Sequence, residues 1–399
     1  MNRILCILSA FLIVLSLGGC VRSINSDITS ETTAQVAADT TASTDEDTTA
    51  APEPEKTGVT IRMVGDVLLH EAVTESGLRD DGTYNFDHLF KNVLDEIKSA
   101  DIALVNQEVI LGGKEMGLSG YPAFNGPFEV GDAIANAGFD IVLHATNHAL
   151  DRGSAAVVNC CNFWRTSHPD ISFIGISDSS ADQNNIVIKE AGGIKIAFLN
   201  YTYGTNGIPL PAGYPNAVTY LDENTIRSDT AYAKENADFT VVLPHWGTEY
   251  IHEADSNQKY WTQLFFDCGV DLVIGTHPHV TEPVEKIEKD GHTMVVYYSI
   301  GNFVNSTAQT GAGIADRMVG AMADVTVERG DDGKVYISDY GVIPLVTHLS
   351  SGFGGITTYK LSDYTEDMAK NNLIVNSDPS FSLKYCTDLT NSVFPGLVK

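Results

Sequence analysis

The sequence predicts an α/β fold. Three observations carry this expectation. Short apolar runs alternate with stretches of helical apolar spacing from Val59 onward, about 340 residues are available from there for a single large core, and polar residues recur where the apolar runs end.

Taken in order, VTIRMVGD (59–66) reads as the first strand. FDHLFKNVLDEIKSA (86–100) has apolar residues at helical spacing and leads into a second strand, DIALVNQE (101–108). The helix EVGDAIANAG (129–138) precedes the strand FDIVLHATNH (139–148), and the helix AAVVNCCNFWRTS (155–167) precedes ISFIGIS (171–177). NIVIKEAGGIKIAFLNY (185–201) is a hairpin broken at its paired glycines. AYAKENADFTVVLPHWG (231–247) and NQKYWTQLFFDCGVDLVIGTHPH (257–279) are each a helix followed by a strand. TMVVYYSIGNF (293–303) is another strand, and AMADVTVERGDDGKVYISDYGVI (321–343) is a hairpin turning at Asp331 to Gly333.

Asp66, Glu108, Asn147 with His148, His245, and His277 with His279 all fall at or just past the carboxyl end of an expected strand. In open α/β sheets that rim is where sites assemble. Taken alone, LVIGTHPHV (272–280) is open to two readings. In extended backbone His277 and His279 would point to the same side, as a metal pair would, or they are two loop histidines at the surface. Singly, Asp66 could cap a helix, Asn147 form a turn and His148 satisfy a loop carbonyl; their joint placement favours a metal site. Carboxylate, carboxamide and imidazole together suit Zn²⁺, Mn²⁺ or Fe²⁺, whereas Ca²⁺ would want mostly oxygen.

Arg3 is followed by an apolar run from Ile4 to Leu17 and then Gly18-Gly19-Cys20. As a helix the run reaches only about 21 Å, short of a bilayer core of about 30 Å, and it reads as a signal peptide over residues 1–19. Its Leu-Gly-Gly-Cys ending resembles the lipobox of bacterial lipoproteins, which implies lipid attachment to Cys20 and a position on the outer face of the cell membrane. Residues 20–57, rich in Ser, Thr, Ala, Asp and Glu, lack the apolar side chains for a core and read as a tether. The formal charge of −28, with no Lys/Arg cluster, argues against nucleic acid and against direct adhesion to anionic lipid heads. Cys160, Cys161, Cys268 and Cys386 show no metal-type spacing and read mostly as buried thiols, with one long-range disulfide left open.

In this order, GDVLLH, NQE, TNHALDRG, PHWGTEY, GTHPH and SIGNF resemble the CapA-type poly-γ-glutamate capsule synthesis proteins, a branch of the calcineurin-like metallophosphoesterase superfamily. The resemblance covers about 59–349, so residues 58–350 are expected to be the domain and 351–399 an extension packed on it. It implies a four-layer sandwich, two mixed sheets flanked by helices, with two divalent metal ions at the sheet edge. Asp66 would bind the first ion, with His279, and Glu108 would bridge. Asn147, His245 and His277 would hold the second. His148 would be the general acid. His70, four residues after Asp66 where the family places a histidine two after, would either ligate or support a ligand. Trp246, Glu249, Arg152 and Asn302 belong to the same motifs and would shape the pocket, while His144 and His252 read as structural.

By that resemblance the protein would serve the synthesis or export of an anionic envelope polymer, poly-γ-glutamate, alongside membrane synthase subunits. Two expectations follow for the site: it hydrolyses a phosphoester, or an amide of similar geometry, or it is a non-catalytic part of a polymer-binding scaffold.

Overall fold

The computed structural model describes residues 58–178 and 186–399; Cys20, the signal segment and the tether lie outside the described residues. The first stretch contains β1 (Gly58–Val67), α1 (Glu71–Ser76), α2 (Leu94–Lys98), β2 (Ile102–Asn106), α3 (Phe128–Ala137), β3 (Ile141–Leu143), α4 (Gly153–Ser167) and β4 (Ser172–Ile174). There follow β5 (Ile186–Ala191), β6 (Ile194–Thr202), α5 (Glu223–Asn236), β7 (Phe239–His245), α6 (Ser256–Asp267), β8 (Leu272–Ile274), β9 (Val284–Lys289) and β10 (His292–Tyr297). The chain closes with β11 (Asn302–Val304), β12 (Val319–Arg329), β13 (Val335–Leu349), β14 (Ile356–Lys360), α7 (Glu366–Asn371) and α8 (Leu383–Val393).

The strands form two mixed sheets. One has the order β14-β13-β12-β1-β2-β3-β4, with β11 also pairing with β1; the other has the order β5-β6-β7-β8-β10-β9. Strands β1 to β4 are mutually parallel, as are β6, β7, β8 and β10, so each sheet presents a row of carboxyl ends along one edge. Alternation along the strands sorts the core into layers. Ile61 and Met63 of β1, Ile102 and Leu104 of β2, and Phe239, Val241 and Leu243 of β7 share one cluster between the sheets. Ala103 and Val105 turn the other way and pack with Ile134 of α3 and Trp164 of α4. Val242 of β7 packs with Phe265 of α6 and Ile226 of α5. The result is four layers, helix-sheet-sheet-helix, as the motif resemblance implied.

Helix starts follow capping chemistry. Asp222 accepts from the Thr225 amide at 2.9 Å, and Asp255 forms a capping box with Gln258. Both expected hairpins form, as the antiparallel pairs β5-β6 and β12-β13. The long helix expected over 86–100 does not form. A 3₁₀ turn at Asp87–Leu89 and the short α2 stand there instead. The helical bond is diverted by tertiary partners: the His88 carbonyl accepts from Thr357 Oγ1 at 2.6 Å, and Asn92 Nδ2 donates to Thr357 Oγ1 at 2.9 Å. The stretch after residue 350 does more than pack on the domain, because β14 continues the first sheet beside β13.

At Gly65 a Cβ would sit 1.8 Å from the Gly301 carbonyl oxygen, where β11 closes on β1 just before Asp66. Gly65→Ala is therefore expected to destabilise the fold by about 3 kcal/mol, the upper range for overpacking, seen as a lowered thermal midpoint. An unchanged midpoint would mean that the two strands part at little cost.

Cys160, Cys161, Cys268 and Cys386 are buried thiols. His144 is a core residue, as expected: it is buried, and its Nε2 accepts from Trp164 Nε1 at 2.8 Å. Burial holds its pKa down at about 3. Unfolded, it takes a proton near 6.5, so its contribution to stability is complete above that pH and drains away as the pH falls toward 3. His144→Gln keeps an acceptor but cannot titrate. Between pH 7 and pH 5 the wild type should lose about 2 kcal/mol more than this variant, measured by denaturant unfolding at both pH values. Parallel losses would contradict the assignment.

Candidate metal centre

The carboxyl ends of the two sheets supply the site jointly. Asp66 lies on β1, Glu108 two residues past β2, and Asn147 and His148 past β3. From the second sheet come His245, the last residue of β7, and His277 and His279 in the loop after β8. All of these are buried.

Three sets of side chains each bring one candidate ligand atom apiece within 4.8 Å of one another: Asp66, Glu108 and His279; Glu108, His245 and His277; and Glu249, His277 and His279. Glu108 belongs to the first two sets, the position of a bridge. Its Oε1 lies 3.6 Å from His279 Nε2, 3.7 Å from His245 Nε2 and 4.0 Å from His148 Nε2. Asn147 joins the second set, its Oδ1 2.9 Å from His245 Nε2.

The donor set fits divalent cations. Both Glu108 oxygens and His277 Nδ1 are buried without a hydrogen-bond partner, a costly arrangement unless something binds them. Burial raises Glu108 well above the ordinary carboxylate range, with Asp66, Glu249 and Asp151 adding repulsion against the opposing pull of His279. Burial, then neighbouring imidazoles, hold His245 and His277 well below the usual histidine value, which leaves neutral nitrogens free to ligate. His279 goes the other way. Burial disfavours its charge, but Glu108 and Asp66 outweigh it and lift the pKa to about 10. The imidazolium thus stands between the two carboxylates, where a cation belongs.

Supporting residues fix these groups. Asn106 Nδ2 donates to Asp66 Oδ1 at 2.7 Å, the His277 amide reaches Asp66 Oδ2 at 3.3 Å, and Asn302 Oδ1 lies 3.0 Å from His279 Nδ1. His245 Nδ1 sits 3.0 Å from Thr276 Oγ1. Asp151 Oδ2 holds His148 Nδ1 at 2.6 Å. Asp151 was missed from sequence, although an acid three residues after the histidine in TNHALDRG is a readable signal; Asn106, inside NQE, was equally visible.

The geometry expected for the GTHPH pair is corrected. The backbone is not extended: φ is +102° at His277 and +59° at His279. Left-handed turns, costing on the order of 1–3 kcal/mol each, swing the two rings into the site, their centroids 5.8 Å apart. His70 is not brought into any of the three sets. Leu68 and Leu69 are buried after the end of β1, and His70 then stands at the start of α1 with its ring edge-on to Phe124, centroids 5.4 Å apart. Burial, His279, His148 and Arg317 lower its pKa to about 4. Glu249, expected only to shape the pocket, has its carboxylate in ligating reach of His277 and His279. Trp246 is packing, its indole donating to the Tyr298 carbonyl at 2.9 Å. Arg152 donates to the Met116 carbonyl at 2.7 Å. His252 is structural, with Nδ1 2.7 Å from the Thr281 carbonyl oxygen.

Among solved structures, the chain is similar to a phosphatase from Mycoplasma pneumoniae, at 18% identity and a TM-score of 0.45 over 72% of this chain and 94% of that one. It is also similar to the NAD nucleotidase of Haemophilus influenzae, at 15% identity and a TM-score of 0.44 over 86% and 63%. Likenesses at that level say nothing of what the chain acts on. Among curated proteins, it is 27% identical to the capsule biosynthesis protein CapA of Bacillus anthracis over 259 residues, 63% of this chain and 60% of the relative. It is 30% identical to the PGA biosynthesis protein CapA of Bacillus subtilis (strain 168) over 172 residues, 43% of this chain and 44% of the relative. The matches therefore span between under half and about three fifths of these relatives' lengths. The model of the bacterial capsule synthesis protein PGA_cap family matches residues 60–307, which holds every strand end that builds the site, and the chain belongs to that family.

Proposed function

We propose that the protein is a metal-dependent hydrolase of a phosphoester, or of an amide of similar geometry, acting in the synthesis or export of an anionic envelope polymer such as poly-γ-glutamate. The carrying observation is one buried carboxylate, Glu108, shared by two ligand sets with the Asp151-held His148 turned toward it. Asp66, Glu108 and His279 would hold one ion, and Glu108, Asn147, His245 and His277 the other, as Mn²⁺, Zn²⁺ or Fe²⁺. When bound, such ions polarise the scissile group and make water a nucleophile near neutral pH. The chain's own residues do the rest. His148, gripped at Nδ1, keeps its Nε2 toward the reacting centre and can hand a proton from there to the leaving oxygen. Asn106 and Asn302 fix Asp66 and His279, while Phe124 and Tyr203 wall the histidines and limit water.

The capsule assignment rests on family membership and on the names of the two curated relatives. Metal per chain by elemental analysis, measured on the full chain together with a phosphoester and γ-glutamyl-amide panel, tests the hydrolase reading. Full metal with no turnover across the panel would move the protein to the scaffold role, in which the domain binds polymer or synthase subunits.

Anchoring at the outer face of the membrane through Cys20 completes the proposal, with the support of the lipobox-like ending. No helix among the described residues is long and apolar enough to cross a membrane. Cys20→Ser should leave the protein unprocessed or released into the medium on cell fractionation. Normal processing and retention would refute the anchor.

A further inference from the structure

Arg317 lies ten residues past the end of the family match, on the 3₁₀ turn Ala315–Met318. Its guanidinium carbon stands 3.7 Å above the Tyr250 ring, whose centroid is 6.0 Å from that of His279. The placement is held from both sides. Asn302 Nδ2 donates to the Arg317 carbonyl at 3.0 Å and to the His279 carbonyl at 3.1 Å, so one carboxamide ties this turn to a candidate ligand. The Tyr250 amide donates to the carbonyl of Pro278, between the two histidines, at 2.8 Å.

What the guanidinium lacks is an acid. Among the described residues no carboxylate lies within ion-pair distance of Arg317, and its Nε is buried without a hydrogen-bond partner. The neighbouring Asp316 is engaged elsewhere, by His252 Nε2 at 3.3 Å and by the Tyr385 hydroxyl. The C-terminal extension fastens the turn further: Asp378 Oδ2 accepts from the Ala315 amide at 3.2 Å, and the Gly311 amide donates to the Ser377 carbonyl at 3.0 Å. In a chain of formal charge −28, a guanidinium stacked beside the site with donors to spare is poised for an anion. Its planar fork matches the paired oxygens of a carboxylate or a phosphoryl group, and the aromatic stack holds it ready.

We propose that Arg317, stacked on Tyr250 and positioned by the C-terminal extension, receives an oxyanion of the substrate at the mouth of the metal centre. The proposal rests on the reading of that centre as a substrate site, but its test needs no turnover. Binding of two probes, inorganic phosphate and a γ-linked glutamate trimer, is measured by titration calorimetry on the manganese-loaded full chain and its variants. Arg317→Ala should weaken one or both probes about ten- to hundredfold with metal per chain unchanged. A loss confined to phosphate identifies a phosphoryl group, and a loss confined to the trimer a carboxylate. Arg317→Lys, which keeps charge without the fork, should recover part of the affinity. Tyr250→Phe, which keeps the stack but gives up the hydroxyl's hydrogen bond to Glu249, should retain most of the affinity, and Tyr250→Ala should not. Equal binding by wild type and Arg317→Ala, no binding of either probe to wild type, or metal lost along with the guanidinium would each overturn the proposal. Oxyanion binding through Arg317 in a protein that hydrolyses nothing would sink the hydrolase reading and leave this one standing.

Discussion

His148→Ala is expected to slow turnover of a substrate with a poor leaving group by about 10²–10⁴-fold, the usual worth of a general acid, while metal per chain stays at the wild-type value. The asymmetry follows from position. His148 belongs to none of the three candidate ligand sets, its Nδ1 is taken by Asp151 at 2.6 Å, and its Nε2 faces Glu108 from 4.0 Å. Phe124 meets the ring edge-on, centroids 4.7 Å apart, and leaves it little freedom to turn. A nitrophenolate ester, which needs little protonation to depart, should suffer much less than an alkyl ester. Asp151→Asn should follow the same pattern more weakly, because the ring loses its orienting charge but not its place. Rates on good and poor leaving groups, with elemental analysis of each variant, decide the matter. A fall in metal content parallel to the fall in rate would make His148 a ligand and end its assignment as proton donor.

The second large effect concerns holding the ions rather than using them. His279→Ala should empty the position formed with Asp66, His277→Ala the position formed with His245, and Glu108→Ala both, since its carboxylate is common to the two sets. Each emptied position removes stabilisation worth about 3–4 kcal/mol when metal is present at a hundred to a thousand times its dissociation constant. The thermal midpoint in excess metal should therefore fall stepwise from wild type through the single-histidine variants to Glu108→Ala. In chelator these differences should narrow. Full metal occupancy in either histidine variant would refute the ligand assignment.

Much of the fold was legible because the physics there is local. Strand alternation in VTIRMVGD and DIALVNQE, and the glycine turns of the two expected hairpins, depend on neighbours in the chain. The helix expected over 86–100 failed because its partners are distant: Thr357 is 269 residues from the His88 carbonyl it binds. At the site, residue types and their placement at strand ends marked Asp66, Glu108, Asn147, His245, His277 and His279. Their orientation was not readable, since the left-handed turns at His277 and His279 contradict what an extended segment predicts. Nor did any sequence pattern point to Arg317. It reaches the site only because Asn302 and the C-terminal extension bring its turn there.

That the two sheets each contribute half of the ligands has a kinetic corollary. Asp66 and the His277 amide that reaches it are 211 residues apart, so their encounter closes a long loop. An early species with only the first sheet formed would offer Asp66 and Glu108, and one with only the second would offer His245, His277, His279 and Glu249; neither holds either of the two positions that share Glu108. Ion capture at the two positions that share Glu108 can then begin only once both halves have met, and during refolding it should lag behind the growth of strand signal. The ion would serve as a clock for the final docking step, bound tightly by the finished protein and weakly by anything short of it.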